Sequence, residues 1–121
     1  GPATDLNGEI LFKPDIAAPG DDIWSAFTDG DYVVYGGTSQ AAPHVAGVIA
    51  LLWSADPDLI GDIDRTEEIL RQTANPDITL GEEENCGSGD AALGENNNFG
   101  AGLIDAFAAV TLALETQKTN E

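Results

Sequence analysis

The sequence predicts an α/β chain, and three observations carry that expectation. Short runs rich in β-branched and aromatic residues, bounded by Gly, Pro and Asp, fill the first third of the 121 residues. A long Ala/Val/Leu-rich stretch with helical character follows. Two further helical patterns complete the chain, one of them near its end. The length is at most one domain's worth of polypeptide.

Taken in order, residues 1–8 are polar, open on Gly1-Pro2, and read as the end of a loop. Ile10-Leu11-Phe12 is a short apolar run. Lys13 to Gly20 reads as a short strand closed by the Pro19-Gly20 turn. Ile23 to Phe27 alternates apolar and polar residues, as a strand with one buried face does. Asp29-Gly30-Asp31 is a turn, and Tyr32 to Tyr35 is a third strand ended by Gly36-Gly37.

Thr38 to Ala55 is the strongest element. Thr38 can cap a helix, the interior favours one, and Asp56-Pro57 stops it. Val45, Val48, Ile49, Leu51, Leu52 and Trp53 spread around the whole circumference. A helix apolar on all sides belongs inside a larger body. Thr66 to Thr73 is amphipathic, with Ile69 and Leu70 inward and Glu67, Glu68 and Arg71 outward. Asn75 to Gly100 is rich in Gly, Asn and Glu and reads as a long surface connection with one or two short strands. Ile104 to Leu114 is the last helix, with Asp105 as its cap, and residues 115–121 are expected to fray.

Composition removes several function classes. There are 22 Asp plus Glu against 4 Lys plus Arg, a formal charge of −18. Nucleic-acid binding needs a basic face, so no nucleic-acid partner is expected. The same charge opposes docking on anionic lipid. The longest apolar run, Val48 to Trp53, is far too short to span a bilayer. No basic segment followed by an apolar one opens the chain, so no signal peptide is read there. One cysteine, Cys86, excludes an internal disulfide and a thiolate-rich metal site, and reads as a lone thiol in a loop.

The segment Gly37 to Gly47 carries the chemistry. Ser39 stands where a Gly-rich turn enters a helix. A helix N-terminus offers unpaired N–H groups and a positive dipole end, where a developing negative oxygen is stabilised. Gly36 and Gly37 let a substrate backbone come close. Pro43 has no N–H to give the Ser39 carbonyl, so the first turn is expected to be irregular. On these features Ser39 is equally placed to be a nucleophile or a helix cap. A nucleophilic serine needs a base within about 3 Å. The only histidine is His44. Five helical steps put it roughly 140° around the axis from Ser39 and about 7.5 Å along it. His44 therefore cannot serve Ser39 and reads as structural.

Gly37-Thr38-Ser39-x-Ala41-Ala42-Pro43-His44-Val45-Ala46-Gly47 resembles the nucleophile motif of the subtilisin-like serine proteases, the subtilases. Lys13 to Gly20 resembles the family's strand and turn upstream of the serine. Asn97 to Ala106 resembles its ending before the last helix, and Gly1-Pro2 the close of a segment that often precedes this region. The resemblance covers nearly the whole chain but only the C-terminal part of a family catalytic domain. It implies a three-layer α/β fold with a mostly parallel sheet, present here as its C-terminal portion over residues 1–114, with 115–121 a polar tail. It implies a Ser-His-Asp triad reached in the chain order Asp, His, Ser. Ser39 matches the nucleophile, and its backbone N–H one of two oxyanion contacts. The Asp, the His and the oxyanion Asn would precede Gly1, so the chain alone is expected to be inactive and to need the upstream part of its own domain. A polypeptide substrate and an extracellular location are implied. So is the absence of a cofactor in this chain, with structural calcium left to the parent domain. Gln40 departs from the Met common at that family position.

An α/β-hydrolase elbow fails, because position 41 is Ala where that motif needs Gly and no histidine follows at a useful distance. A degenerate, non-catalytic subtilase relative that binds through its acidic surface is the alternative. Asp21-Asp22, Asp29 with Asp31, and Asp62 with Asp64 read as solvated turns rather than calcium or acid–base sites, and Glu82-Glu83-Glu84 as exposed loop. No metal site is assigned. Trp24 and Trp53 are expected in the core or an interface.

The acidic excess fits adaptation to high salt, solubility of an exported protein or a calcium-loaded surface. Salt screens charge repulsion over roughly 8 Å at physiological strength and over less at molar strength. On the first reading the melting temperature rises between dilute buffer and molar KCl. A flat thermal-melt titration removes that reading.

Overall fold

The computed structural model describes residues 3–11, 13–78 and 98–119. Expectations that fall on Gly1-Pro2, Phe12, Glu82-Glu83-Glu84, Cys86, Asn97 and residues 120–121 lie outside the described residues. Four strands come first: β1 (Ala3–Thr4), β2 (Ile10–Leu11), β3 (Ile23–Ala26) and β4 (Tyr32–Tyr35). Three helices follow: α1 (Thr38–Ala55), α2 (Ile63–Thr73) and α3 (Ala106–Thr119). Short 3₁₀ turns lie at Thr28–Gly30 and Pro57–Leu59.

β1 and β2 pair antiparallel, so the polar opening read as loop contains a strand. Asp5 closes the turn between them. The Glu9 N–H donates to its carboxylate at 2.8 Å, and Asn7 donates from its backbone at 2.8 Å and from its side chain at 3.2 Å. These donors, the Glu9 N–H foremost, hold the Asp5 carboxyl below the ordinary carboxylate value. β3 and β4 form an antiparallel hairpin with Ile23 opposite Tyr35 and Ala26 opposite Tyr32.

Lys13 to Gly20 is not a strand. Its single bridge is Ala17, parallel to Leu103, which is itself antiparallel to Asn75. Pro14 and Pro19 carry no N–H, so the segment can pair only briefly. The Ala17 N–H donates to the Gly102 carbonyl at 2.9 Å, and Ile104 returns to Ala17 at 2.8 Å. Residues 100–104 thus thread between Ala17 and Asn75. That passage needs glycine. Gly100 (φ 62°) and Gly102 (φ 139°) take left-handed conformations, and a Cβ at either would collide with the backbone of Asp15 or Asn75. Asp15 also holds Lys13 and, at 3.5 Å, Arg71, so two of the chain's 4 basic residues converge on it.

The core lies among the helices. Val48 and Leu52 of α1 meet Leu59 of the 3₁₀ turn, Ile69 and Leu70 of α2, and Ala109 and Ala113 of α3. Burying each large aliphatic side chain contributes roughly 1.5–3 kcal/mol. Alanines on α3 let it approach α1 closely. Trp53 is half-buried and donates from Nε1 to Thr66 Oγ1 at 3.0 Å, which ties α1 to α2.

α2 begins at Ile63 rather than Thr66. Asp62, read as a solvated turn residue, is its N-cap and accepts from the Arg65 N–H at 3.1 Å. Asp105 caps α3 as expected, accepting from the Ala108 N–H at 2.9 Å. α3 starts two residues later than expected and runs to Thr119, through the stretch expected to fray. The reason is a polar anchor. Gln117 donates from Nε2 at 2.6 Å to Asp56 Oδ1, and Asp56 is fully buried where α1 ends. The same oxygen accepts from the Asp58 N–H at 3.1 Å, turning the chain after α1.

α1 has its expected length, but only Val48 and Leu52 are buried along its 18 residues. Leu51 is 57% exposed and Phe107 on α3 is 83% exposed. Together with Ala106 and Val110 they line a groove of about 440 Å³. A helix built to be covered all round is covered here on one side, and apolar area of this kind drives association. The chain expressed alone is expected to bind a hydrophobic dye such as ANS and to self-associate. A sharp, cooperative thermal transition of a monomer, measured by calorimetry with light scattering, overturns this.

Candidate active site

The site is built where the turn at Gly20 meets the start of α1. The Gly37 N–H donates to the Gly20 carbonyl at 2.6 Å. A Cβ on Gly20 would sit 2.9 Å from the Gly37 carbonyl oxygen and 3.1 Å from the Ala41 Cβ, so only glycine lets the two segments touch. Gly37 takes φ 146° and is the N-cap of α1. Thr38, expected to cap, is instead the first helical residue, and the helix has no side-chain cap. Its first turn closes on backbone alone: Gln40 and Ala41 donate to the Gly37 carbonyl at 3.0 and 3.3 Å.

Ser39 is exposed at the second position of α1, so its N–H is one that has no helical acceptor. In a chain with 22 carboxylates, none lies in the first turn of α1. The positive end of the helix is therefore not neutralised from within and remains available to an anionic oxygen. The Asp21 carboxylate lies nearby, against Gly36.

A cleft of about 560 Å³ opens beside Ser39. Ser39, Gln40, Pro43 and His44 form one wall, and Ile23, Ser25, Phe27, Val33 and Tyr35 of the hairpin contribute to the other. Two residues, Gly36 and Gly37, separate β4 from α1, so the hairpin must abut the serine. Sequence reasoning missed this wall because it reads the hairpin residues as strands and Trp24 as core or interface by default, without setting them beside Ser39. The signal was the two-residue spacing. Trp24, expected in the core or an interface, is 69% exposed and stacks on Tyr32 with centroids 4.7 Å apart, outside the core. Phe27 meets Tyr35 edge-on at 6.2 Å.

His44 behaves as the helical geometry requires. Its Nδ1 lies 2.8 Å from the Gln40 carbonyl, one turn back on α1. Among the described residues no side chain hydrogen-bonds the Ser39 hydroxyl, so the serine has an anion pocket and a cleft but no base beside it. Among the described residues no three His, Cys, Asp or Glu side chains converge as metal ligands would.

Comparison with known proteins shows what the chain is similar to. The family model described as the Subtilase family, Peptidase_S8, matches residues 5–102. Bacillopeptidase F of Bacillus subtilis is 39% identical over 124 residues, covering 90% of this chain and 8% of its own length. A protein named extracellular protease, from Xanthomonas campestris, is 36% identical over 107 residues, covering 83% of this chain and 16% of its own length. Among solved structures, the CspB protease of Clostridium perfringens superposes with a TM-score of 0.65 at 25% identity, over 89% of this chain and 21% of that one. The patellamide maturation protease PatA superposes with a TM-score of 0.55 at 32% identity, over 81% of this chain and 33% of that one. The chain thus spans a small part of the length of the relatives it matches.

Proposed function

The chain belongs to the subtilase family, and from that membership we propose that it is the C-terminal, nucleophile-bearing part of a serine endopeptidase acting through Ser39. The observation that supports this best is Ser39 itself, exposed beside a cleft at the N-terminus of a helix with no side-chain cap and no acidic residue in its first turn. The reaction is acyl transfer to water. The Ser39 hydroxyl oxygen adds to the carbonyl carbon of a peptide bond, and its proton passes to a histidine base supplied by the preceding part of the domain. The carbonyl oxygen becomes anionic and accepts from the Ser39 backbone N–H and from a second donor outside this chain. The C–N bond then breaks, the histidine protonates the leaving amine, and water hydrolyses the ester on Ser39.

The catalytic Asp and His and the oxyanion Asn belong, on this reading, to the parent domain, so residues 1–121 alone do not hydrolyse peptides. The finer fold follows from the same membership. The parallel Ala17–Leu103 bridge is one contact of a larger, mostly parallel sheet in a three-layer domain over residues 1–114, completed upstream. This chain carries no cofactor, and any structural calcium belongs to the rest of the domain. An extracellular location fits the relative named as an extracellular protease.

The test is labelling with a fluorophosphonate, which reacts with activated serines. The chain alone is expected to remain unlabelled. The longer protein that carries it is expected to label at Ser39, found by peptide mass spectrometry. Ser39→Ala abolishes the label and lowers kcat by a factor on the order of 10⁴ or more. Labelling elsewhere, or full hydrolysis by Ser39→Ala, refutes the assignment.

Gln40 gives a second outcome. A thioether at this position, beside the serine, is open to oxidation, whereas a carboxamide is inert to peroxide. The active protein is expected to keep its activity in peroxide while its Gln40→Met variant loses it. Equal loss in both, in an activity assay over time, sinks this expectation.

A further inference from the structure

We propose that His44 is a positioning residue for Ser39, acting through the main-chain carbonyl of Gln40. The inference rests on the reading of Ser39 as nucleophile and adds a residue that holds it. The weakness it answers lies in the first turns of α1. Pro43 stands inside α1 and has no N–H, so the Ser39 carbonyl cannot receive the helical bond from position 43. The serine therefore lies in a turn with one main-chain bond removed, on a helix whose N-cap contributes no side chain.

Two anchors flank the weak point. On one side the Gly37 N–H is held by the Gly20 carbonyl at 2.6 Å, and the Gly37 carbonyl accepts from Gln40 and Ala41. On the other side the His44 ring reaches back one turn to the Gln40 carbonyl at 2.8 Å. Ser39 sits between these two fixed peptides. A carbonyl oxygen can only accept, so Nδ1 carries the proton and donates. In the neutral ring Nε2 is then the unprotonated nitrogen. The chain's only histidine is thus held in one tautomer by main chain beside the serine, too far round the helix to be its base. An orientation error of about 1 Å at a reacting atom can cost on the order of 100-fold in rate.

The experiment uses the complete protein that carries this chain, with ¹⁵N-labelled histidine and two variants. The His44 resonances are identified by their disappearance in His44→Asn. The native ring is expected as the Nδ1–H tautomer, and an Nε2–H tautomer overturns the proposal. In Asn the amide nitrogen occupies the place of Nδ1 and can donate to the same carbonyl, whereas Leu fills the space without a donor. The acylation rate is expected to fall roughly 10- to 100-fold in His44→Leu and to be largely rescued, to a loss several-fold smaller, in His44→Asn. Equal losses in both variants, or none in either, overturn it, because packing rather than the hydrogen bond then matters or neither does. These outcomes leave Ser39 labelling intact and so refute the positioning role alone. Absence of fluorophosphonate labelling in the unmodified protein refutes the nucleophile reading and the positioning role together.

Discussion

The contact on which the site depends is the seating of Gly37 on Gly20. One N–H to carbonyl bond of 2.6 Å joins the segment after Pro19 to the start of the longest helix. It forms because Gly20 has no side chain at the point of approach, and because Gly37 takes a φ that favours glycine. From that seat follow the unusual φ of Gly37, the backbone-only closure of the first turn and the outward place of Ser39 at the helix end. The hairpin follows too, since β4 enters Gly36-Gly37 with no slack and brings its apolar face against the serine. A Cβ on Gly20 would push the helix end and the cleft wall away together.

The other end of α1 is fixed by different chemistry. Leu52 and Val48 lock it to α2 and α3 by burial, and Asp56 links the turn after it to Gln117. The serine thus stands on an element held by glycine contact at one end and by apolar packing at the other. Preorganisation of a helix end in this way is what electrostatic stabilisation of an oxyanion requires.

What could be read from the sequence was what is local. The bounds of α1, the two hairpin strands, the cap at Asp105 and the inability of His44 to serve Ser39 all follow from periodicity, turn residues and helical spacing. What could not be read depended on distant partners. Lys13 to Gly20 looks like a strand by composition, but its pairing waits on Leu103, which brings it one bridge. The polar end of α3 looks frayed until Asp56, 61 positions away, gives Gln117 a buried partner. Trp24 reads as core or interface, and only its hairpin neighbours, exposed like itself, exclude the core. The placing of Ser39 at a helix start was legible because a helix N-terminus is a local feature. The cleft wall was not, because it is made by register between strands.

The one-sided covering of α1 bears on the absent base as well. Leu51, Phe107 and the exposed small residues of α1 form a face whose burial would be worth far more than any polar contact it now makes. A histidine base must reach within about 3 Å of the Ser39 hydroxyl, and the element bearing it must pack close to the same helix to do so. Covering the helix and supplying the base are therefore compatible demands on one body of protein. On the proposed assignment, the apolar circumference of α1 and the serine without a base fit one explanation: further protein that packs on the helix would also carry the base to Ser39.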